Sequence, residues 1–209
     1  ISNVRIMDSY LVAIQECAMP VAQKHNVLTP DEYLQEELEA PVKRELIDGQ
    51  IYAMAGASAN HERIAGNIYS ELRNHLKATP CEPFSSDMKV RVRDNFYYPD
   101  VLVDCDFDES EPYFTSTPVI IVEVISRSTR KMDEKQKLLE YINIPTLKEY
   151  VLIEQDVADV TVYRRSDDWR STHYFLGEEI HFESIDFTIP VEDIYLRVKN
   201  EDVAAFLEQ

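Results

Sequence analysis

Asp100, Glu123 and Lys137 are the residues whose types and settings best suit chemistry. Asp100 follows Tyr98-Pro99 and leads into Val101-Leu102-Val103, while Glu123 interrupts the run Pro118-Val119-Ile120-Ile121-Val122-Glu123-Val124-Ile125. Both runs are dense in β-branched residues, as in strands covered on two faces. An ionised carboxylate in such a setting costs free energy unless a cation or hydrogen bonds offset it. Two such acids, with a lysine on the helical segment that follows, suit metal-dependent cleavage of a phosphodiester. That reaction needs an activated water, a cation on the phosphoryl oxygens and help for the departing alkoxide. A magnesium ion held by one or two carboxylates, with waters retained, supplies much of this, and manganese can substitute. Asp100 and Glu123 are the expected ligands, with the backbone carbonyl of Val124 as a third. Lys137 is expected to steer or deprotonate the water and to offset charge in the transition state.

Each residue also has a plainer reading. Asp100 could simply open a strand after proline. Glu123 shares its face with Ile121 and Ile125 by the two-residue period, so it could belong to a buried structural ion pair. Lys137 could be a solvent-facing helix residue, set at helical spacing from Asp133 or Tyr141. Glu45, a further candidate acid, could be an exposed hairpin residue. The weight lies in the combination.

The elements that must position these residues are legible in the chain. Residues 1–18 read as an extension outside the domain, with Met19 a natural start; the domain is expected over 19–200 and a helix or tail over 201–209. Thr29-Pro30-Asp31-Glu32 is a capping box with proline in the first helical turn, so a helix starts there and stops before Pro41. Asp48-Gly49 between Arg44-Glu45-Leu46-Ile47 and Gln50-Ile51-Tyr52-Ala53-Met54 predicts a hairpin, with Glu45 on its first strand. Ser58 caps a helix to Lys77 in which Ile64, Ile68, Leu72 and Leu76 recur every fourth residue. Met88, Val90 and Val92 alternate with Lys89, Arg91 and Arg93, the pattern of a strand with one wet face. Asp94-Asn95 then turns the chain toward a strand beginning near Pro99. After the run to Ile125, a helix opened by Ser126 or Ser128 carries Leu138, Leu139 and Ile142. Strands follow over 149–154, 159–165 and 169–175, a short apolar piece over 180–182, a helical turn over 191–195 and a terminal helix over 203–207. The sum is a single α/β (α+β) domain with one mixed sheet flanked by helices.

With 209 residues and 44% hydrophobic content, the chain can bury a core without disulfides or a structural metal. Its apolar runs are too short to cross a bilayer, the longest being Val119 to Val122, so no membrane partner is expected. Cys17, Cys81 and Cys105 are odd in number and widely spaced, which predicts reduced thiols in a cytoplasmic protein. A net charge of −18 weighs against nucleic acid as a partner, since phosphate binding draws on Lys and Arg. Basic residues nevertheless cluster at Lys89, Arg91 and Arg93, and at Arg127, Arg130, Lys131, Lys135 and Lys137, on either side of the candidate acids.

At these residues the chain resembles the PD-(D/E)XK nuclease superfamily, and within it the Uma-type branch of restriction endonucleases. The resemblance is carried by Arg44-Glu45-Leu46-Ile47-Asp48-Gly49-Gln50-Ile51, His61, Pro99-Asp100-Val101, Val122-Glu123-Val124-Ile125-Ser126 with Ser128-Thr129, then Asp133, Lys137, Tyr141 and Glu149-Tyr150-Val151. It spans about Leu28 to Leu196. It implies a restriction-endonuclease-like fold, divalent-metal-dependent cleavage of DNA and often a homodimer. By position it makes Asp100 and Glu123 metal ligands, Glu45 a supporting acid and Lys137 the catalytic lysine. The third position of the D/E-x-K signature is Ile125, so the lysine comes from the following helix. His61, Ser126 and Asp133 match positions to which the resemblance assigns no role; a helix-start hydrogen bond is the default for His61. Two other functions compete: a catalytically inactive nuclease-fold protein that binds nucleic acid or a protein through the same cleft, and an acidic interaction module with buried salt bridges.

Overall fold

The computed structural model describes residues 27–125 and 136–208. The expected extension over 1–18, the cluster from Arg127 to Lys135, and Ser126, Ser128 and Asp133 lie outside the described residues.

Helix α1 (Pro30–Glu37) begins on both halves of its capping box: Thr29 accepts from the Glu32 amide and the Glu32 carboxylate accepts from the Thr29 amide. Strands β1 (Arg44–Ile47) and β2 (Gln50–Ala53) form the expected hairpin. Asp48 and Gly49 both take positive φ in its turn, which Asp-Gly tolerates better than most pairs. Helix α2 (Ala59–Leu76) is capped by Ser58 and buries Ile64, Ile68, Leu72 and Leu76 along one stripe. The middle of the chain supplies β3 (Glu82–Ser85), β4 (Lys89–Val92), β5 (Asn95–Tyr97), β6 (Val101–Asp104), β7 (Phe114–Thr115), β8 (Pro118–Ile125) and α3 (Leu138–Tyr141). Beyond it come β9 (Glu149–Glu154), β10 (Val160–Arg164), β11 (Ser171–Tyr174), β12 (Glu179–Phe182), β13 (Phe187–Pro190), α4 (Val191–Ile194) and α5 (Glu201–Leu207).

The strands do not form one sheet as expected. A five-stranded sheet runs β2-β1-β5-β4-β7, a six-stranded sheet runs β11-β10-β9-β8-β6-β3, and β12 pairs with β13 alone. The second sheet is mixed, because β8 lies antiparallel to β6 and parallel to β9. The chain passes from the first sheet to the second between Tyr97 and Val101, and Pro99 in that interval has no N–H with which to continue a ladder. The turn expected at Asp94-Asn95 falls one residue earlier, at Arg93-Asp94: Asn95 already pairs with Val92, so the strand near Pro99 is preceded by β5.

Strand β8 divides the interior. Ile120, Val122 and Val124 pack with the α2 stripe, whereas Ile121 and Ile125 pack with Ile47, Val90, Val92, Tyr97 and Tyr141. The alternation sends Glu123 into the second cluster, where residues of the two large sheets meet. α5 also belongs to the folded unit, since Val203 joins the first cluster and Asp202 accepts from the Ala158 amide at 2.8 Å.

Two further expectations need correction. Lys89 is buried rather than wet, with the rings of Tyr98 and Tyr113 5.1 and 5.8 Å from its ammonium, and burial pushes its pKa down. Cys81 and Cys105 are joined by a disulfide. Their distance in sequence hid this, but the β3–β6 ladder pairs Glu82 with Asp104 and so brings the two cysteines opposite each other one step further on. Reduced thiols therefore no longer argue for the cytoplasm.

Candidate active site

The four acids and bases singled out by the sequence are all buried: Glu45, Asp100, Glu123 and Lys137 are 5%, 9%, 4% and 4% exposed. Burial of four ionisable groups in one chain is uncommon unless they are paired. Three of them meet directly. Lys137 Nζ lies 3.0 Å from Glu123 Oε1 and 3.1 Å from Glu45 Oε1, so one ammonium joins an acid of the first sheet to an acid of the second. Lys137 is thus not the solvent-facing residue of the plainer reading, and Glu45 is not an exposed hairpin residue. Glu123 is part of a buried ion pair, as one of its readings held.

The surroundings fix these groups. Tyr141, one turn along the helix from Lys137, donates its hydroxyl to Glu123 Oε1 at 3.1 Å. Its ring is held edge-on by Tyr97 and Tyr150, with centroids 5.4 and 5.3 Å away. Burial, reinforced by the Glu123 charge, pushes the Tyr141 pKa well above its ordinary value, so it remains a donor throughout the neutral range. Glu45 Oε1 also accepts from the Tyr98 amide at 3.0 Å, which ties it to the segment carrying Asp100.

Asp100 sits one residue before the ladder in which Val101 pairs with Val122, and so comes to the level of Glu123. Its Oδ2 accepts from the Val124 amide at 2.7 Å and lies 3.2 Å from His61 Nε2. Sequence reasoning reserved a helix-start bond for His61. The backbone makes it, with the His61 amide donating to Ser58 Oγ at 3.2 Å, while the ring reaches across to Asp100. The contact arises because the apolar stripe of α2 packs on the strand entered through Asp100, which no spacing in the sequence shows.

Among the described residues, no three or more His, Cys, Asp or Glu side chains are grouped closely enough to hold a metal ion. The donors present nevertheless fit one hard cation. Asp100 and Glu123 offer carboxylate oxygens from adjacent strands, and magnesium is ordinarily held by one or two protein carboxylates with the rest of its shell water.

A restriction-endonuclease-like fold with a buried cluster of acids and a lysine is the class of protein these observations define. A solved structure described as a putative nuclease belonging to DUF820, from Anabaena variabilis, superposes with a TM-score of 0.67 at 18% identity, covering 80% of this chain and 97% of that one. The likeness is one of fold. The chain belongs to the Uma2 family, described as "Putative restriction endonuclease", which it matches over residues 30–192. Two proteins of Synechocystis are also similar. Uncharacterized protein slr1290 is 36% identical over 173 residues, covering 80% of this chain and 91% of its own length. Uncharacterized protein sll1609 is 36% identical over 172 residues, covering 79% and 97%. No described helix is long and apolar enough to cross a membrane.

Proposed function

We propose that this protein is a metal-dependent endonuclease that hydrolyses phosphodiester bonds in DNA. The observation that carries the reading is the convergence of Glu45, Glu123 and Lys137, with Asp100 one strand away, in a buried place where so many charges serve stability poorly. Asp100 and Glu123, with the Val124 carbonyl, would hold magnesium or manganese. When bound, the ion would supply Lewis-acid polarisation of the phosphoryl group and compensate charge on its oxygens.

The chain's own residues do the rest. Lys137, held between two acids, presents an ammonium that can hydrogen-bond the attacking water and offset negative charge gathering on the phosphorane. Water gives up a proton to solvent as it forms the new P–O bond, the P–O bond to the departing alkoxide breaks, and that oxygen takes up a proton from solvent. Glu45 keeps the ammonium in place. Tyr141 keeps Glu123 in one rotamer. His61 and the Val124 amide do the same for Asp100. A homodimer, as the family resemblance implies, would present two such centres to the two strands of a duplex.

A second reading draws on the same contacts. Lys137 already satisfies both glutamates, which is also what a catalytically inactive nuclease-fold protein would need. Plasmid nicking separates the two. The first reading expects nicking that requires magnesium or manganese and disappears in Asp100→Asn and Glu123→Gln. No nicking by wild-type protein with either metal, together with no calorimetric signal for metal, decides for the second.

A further inference from the structure

A concavity of about 500 Å3 opens at the tip of the β4–β5 hairpin, lined by Arg91, Val92, Arg93, Ser116 and the Asn143 to Pro145 segment. It lies at the far end of α3 from the carboxylate cluster: Lys137 caps that helix at its start, and Asn143 follows its C-terminal cap, Ile142.

The guanidinium of Arg91 is fixed before any ligand arrives. It lies 5.6 and 5.8 Å from the ring centroids of Phe96 and Phe114, and its Nε donates to the Arg93 carbonyl at 2.9 Å. The terminal nitrogens of its fork have no hydrogen bond among the described residues. Arg44 and Arg164 both meet carboxylates, but neither Arg91 nor Arg93 forms an ion pair among the described residues, Asp94 beside them included. Arg93 adds a second observation. It holds φ at 56°, in the left-handed region that a hairpin turn usually gives to Gly or Asn. A cation there is not what the turn itself favours, and strain of this kind points to a role for the side chain.

We propose that this concavity is a phosphate-binding site. A planar guanidinium preset by stacking, a second arginine and the Ser116 hydroxyl match the geometry and charge of a phosphate group better than those of a single carboxylate. The group can come from free phosphate or from a nucleic-acid backbone. The second source rests on the nuclease reading above, and the phosphate chemistry does not.

The test uses the full chain without divalent metal. Inorganic phosphate, titrated at constant ionic strength against chloride, raises the Tm of the wild-type protein. Arg91→Gln and Arg93→Asn each abolish that rise, and Arg93→Asn keeps the fold because asparagine tolerates the left-handed turn. No rise in the wild type, or a rise that survives both substitutions, overturns the proposal. A labelled single-stranded oligonucleotide identifies the source. Roughly tenfold weaker binding by Arg93→Asn assigns the site to a strand backbone. Unchanged oligonucleotide affinity, with the phosphate response lost, assigns it to free phosphate. Failure of plasmid cleavage would leave the phosphate result untouched.

Discussion

His61 Nε2 stands 3.2 Å from Asp100 Oδ2, so the first turn of α2 reaches over the strand entrance and holds the carboxylate named as a metal ligand. The Val124 amide holds the same oxygen at 2.7 Å, on the strand that carries Glu123. Asp100→Asn can keep one of these contacts through its carbonyl oxygen while losing the charge. The expected outcome is a folded protein with near wild-type Tm that no longer nicks plasmid and no longer binds manganese in calorimetry. His61→Ala should leave metal binding measurable but weaker, because it removes a constraint on the ligand and not the ligand itself. Equal manganese affinity in wild type and Asp100→Asn would dispose of Asp100 as a ligand.

Lys137→Met tests whether the ammonium is structural as well as chemical. It leaves Glu45 and Glu123, both buried, without the cation between them, and breaking a buried pair from one side costs about 3–5 kcal/mol. Urea unfolding should show the loss. The triple variant Glu45→Gln, Glu123→Gln and Lys137→Met should regain most of the stability and none of the activity, since neutral side chains at 45 and 123 no longer need the ammonium between them. A triple variant as unstable as the single one would mean that the contacts matter more than the charges.

Buried phenols predict how the protein meets alkali. Tyr33, Tyr97, Tyr98, Tyr141 and Tyr195 all have pKa values raised from 10.0, with burial the leading cause. In the unfolded chain these groups ionise at about pH 10. Above that pH the unfolded state sheds protons that the native state keeps, so stability falls as pH rises; below it the tyrosines contribute no slope. Tm measured between about pH 8 and 12 should drop steeply past the unfolded value, with exposed tyrosines such as Tyr52 and Tyr113 ionising first and the remaining phenolate absorbance appearing together with unfolding. Phenolate absorbance that reaches its full, denatured amplitude while the protein stays folded would contradict this. Tyr141→Phe should soften the alkaline slope and, by withdrawing the hydroxyl from Glu123, cost about 1–3 kcal/mol at neutral pH.

The Cys81–Cys105 bond closes a loop with a sequence separation of 24 at the edge of the six-stranded sheet. A cross-link of that span restricts the unfolded chain by about 3 kcal/mol. Reductant should lower the Tm of the wild type, Cys81→Ser should lower it equally, and the two effects should not add. A Tm insensitive to reductant would show that the bond contributes nothing.

Much of this was readable from the residues. Local chemistry announced its own elements, as at Thr29 to Glu32, Asp48-Gly49 and the four-residue stripe of α2, because caps, turns and faces depend on neighbours in sequence. Glu123 was legible for a related reason: a charged residue inside an apolar run breaks a pattern. What depended on distant pairing was not legible. β3 and β13 are short and weakly patterned, and they exist as strands because β6 and β12 offer them ladders. The split into two sheets turns on Pro99, which reads equally well as the opening of a strand. The ring of His61 and the hydroxyl of Tyr141 find their acids only when α2 and α3 pack on the sheet, so no spacing rule connects 61 to 100 or ranks 141 above its neighbours.

Glu45 and Glu123 come from different sheets, and Lys137 is the rivet between them. Selection for an intact scaffold would therefore preserve this trio even in a descendant that had stopped cutting. Inheritance of these letters certifies shape, and turnover has to be counted separately in each member of the lineage.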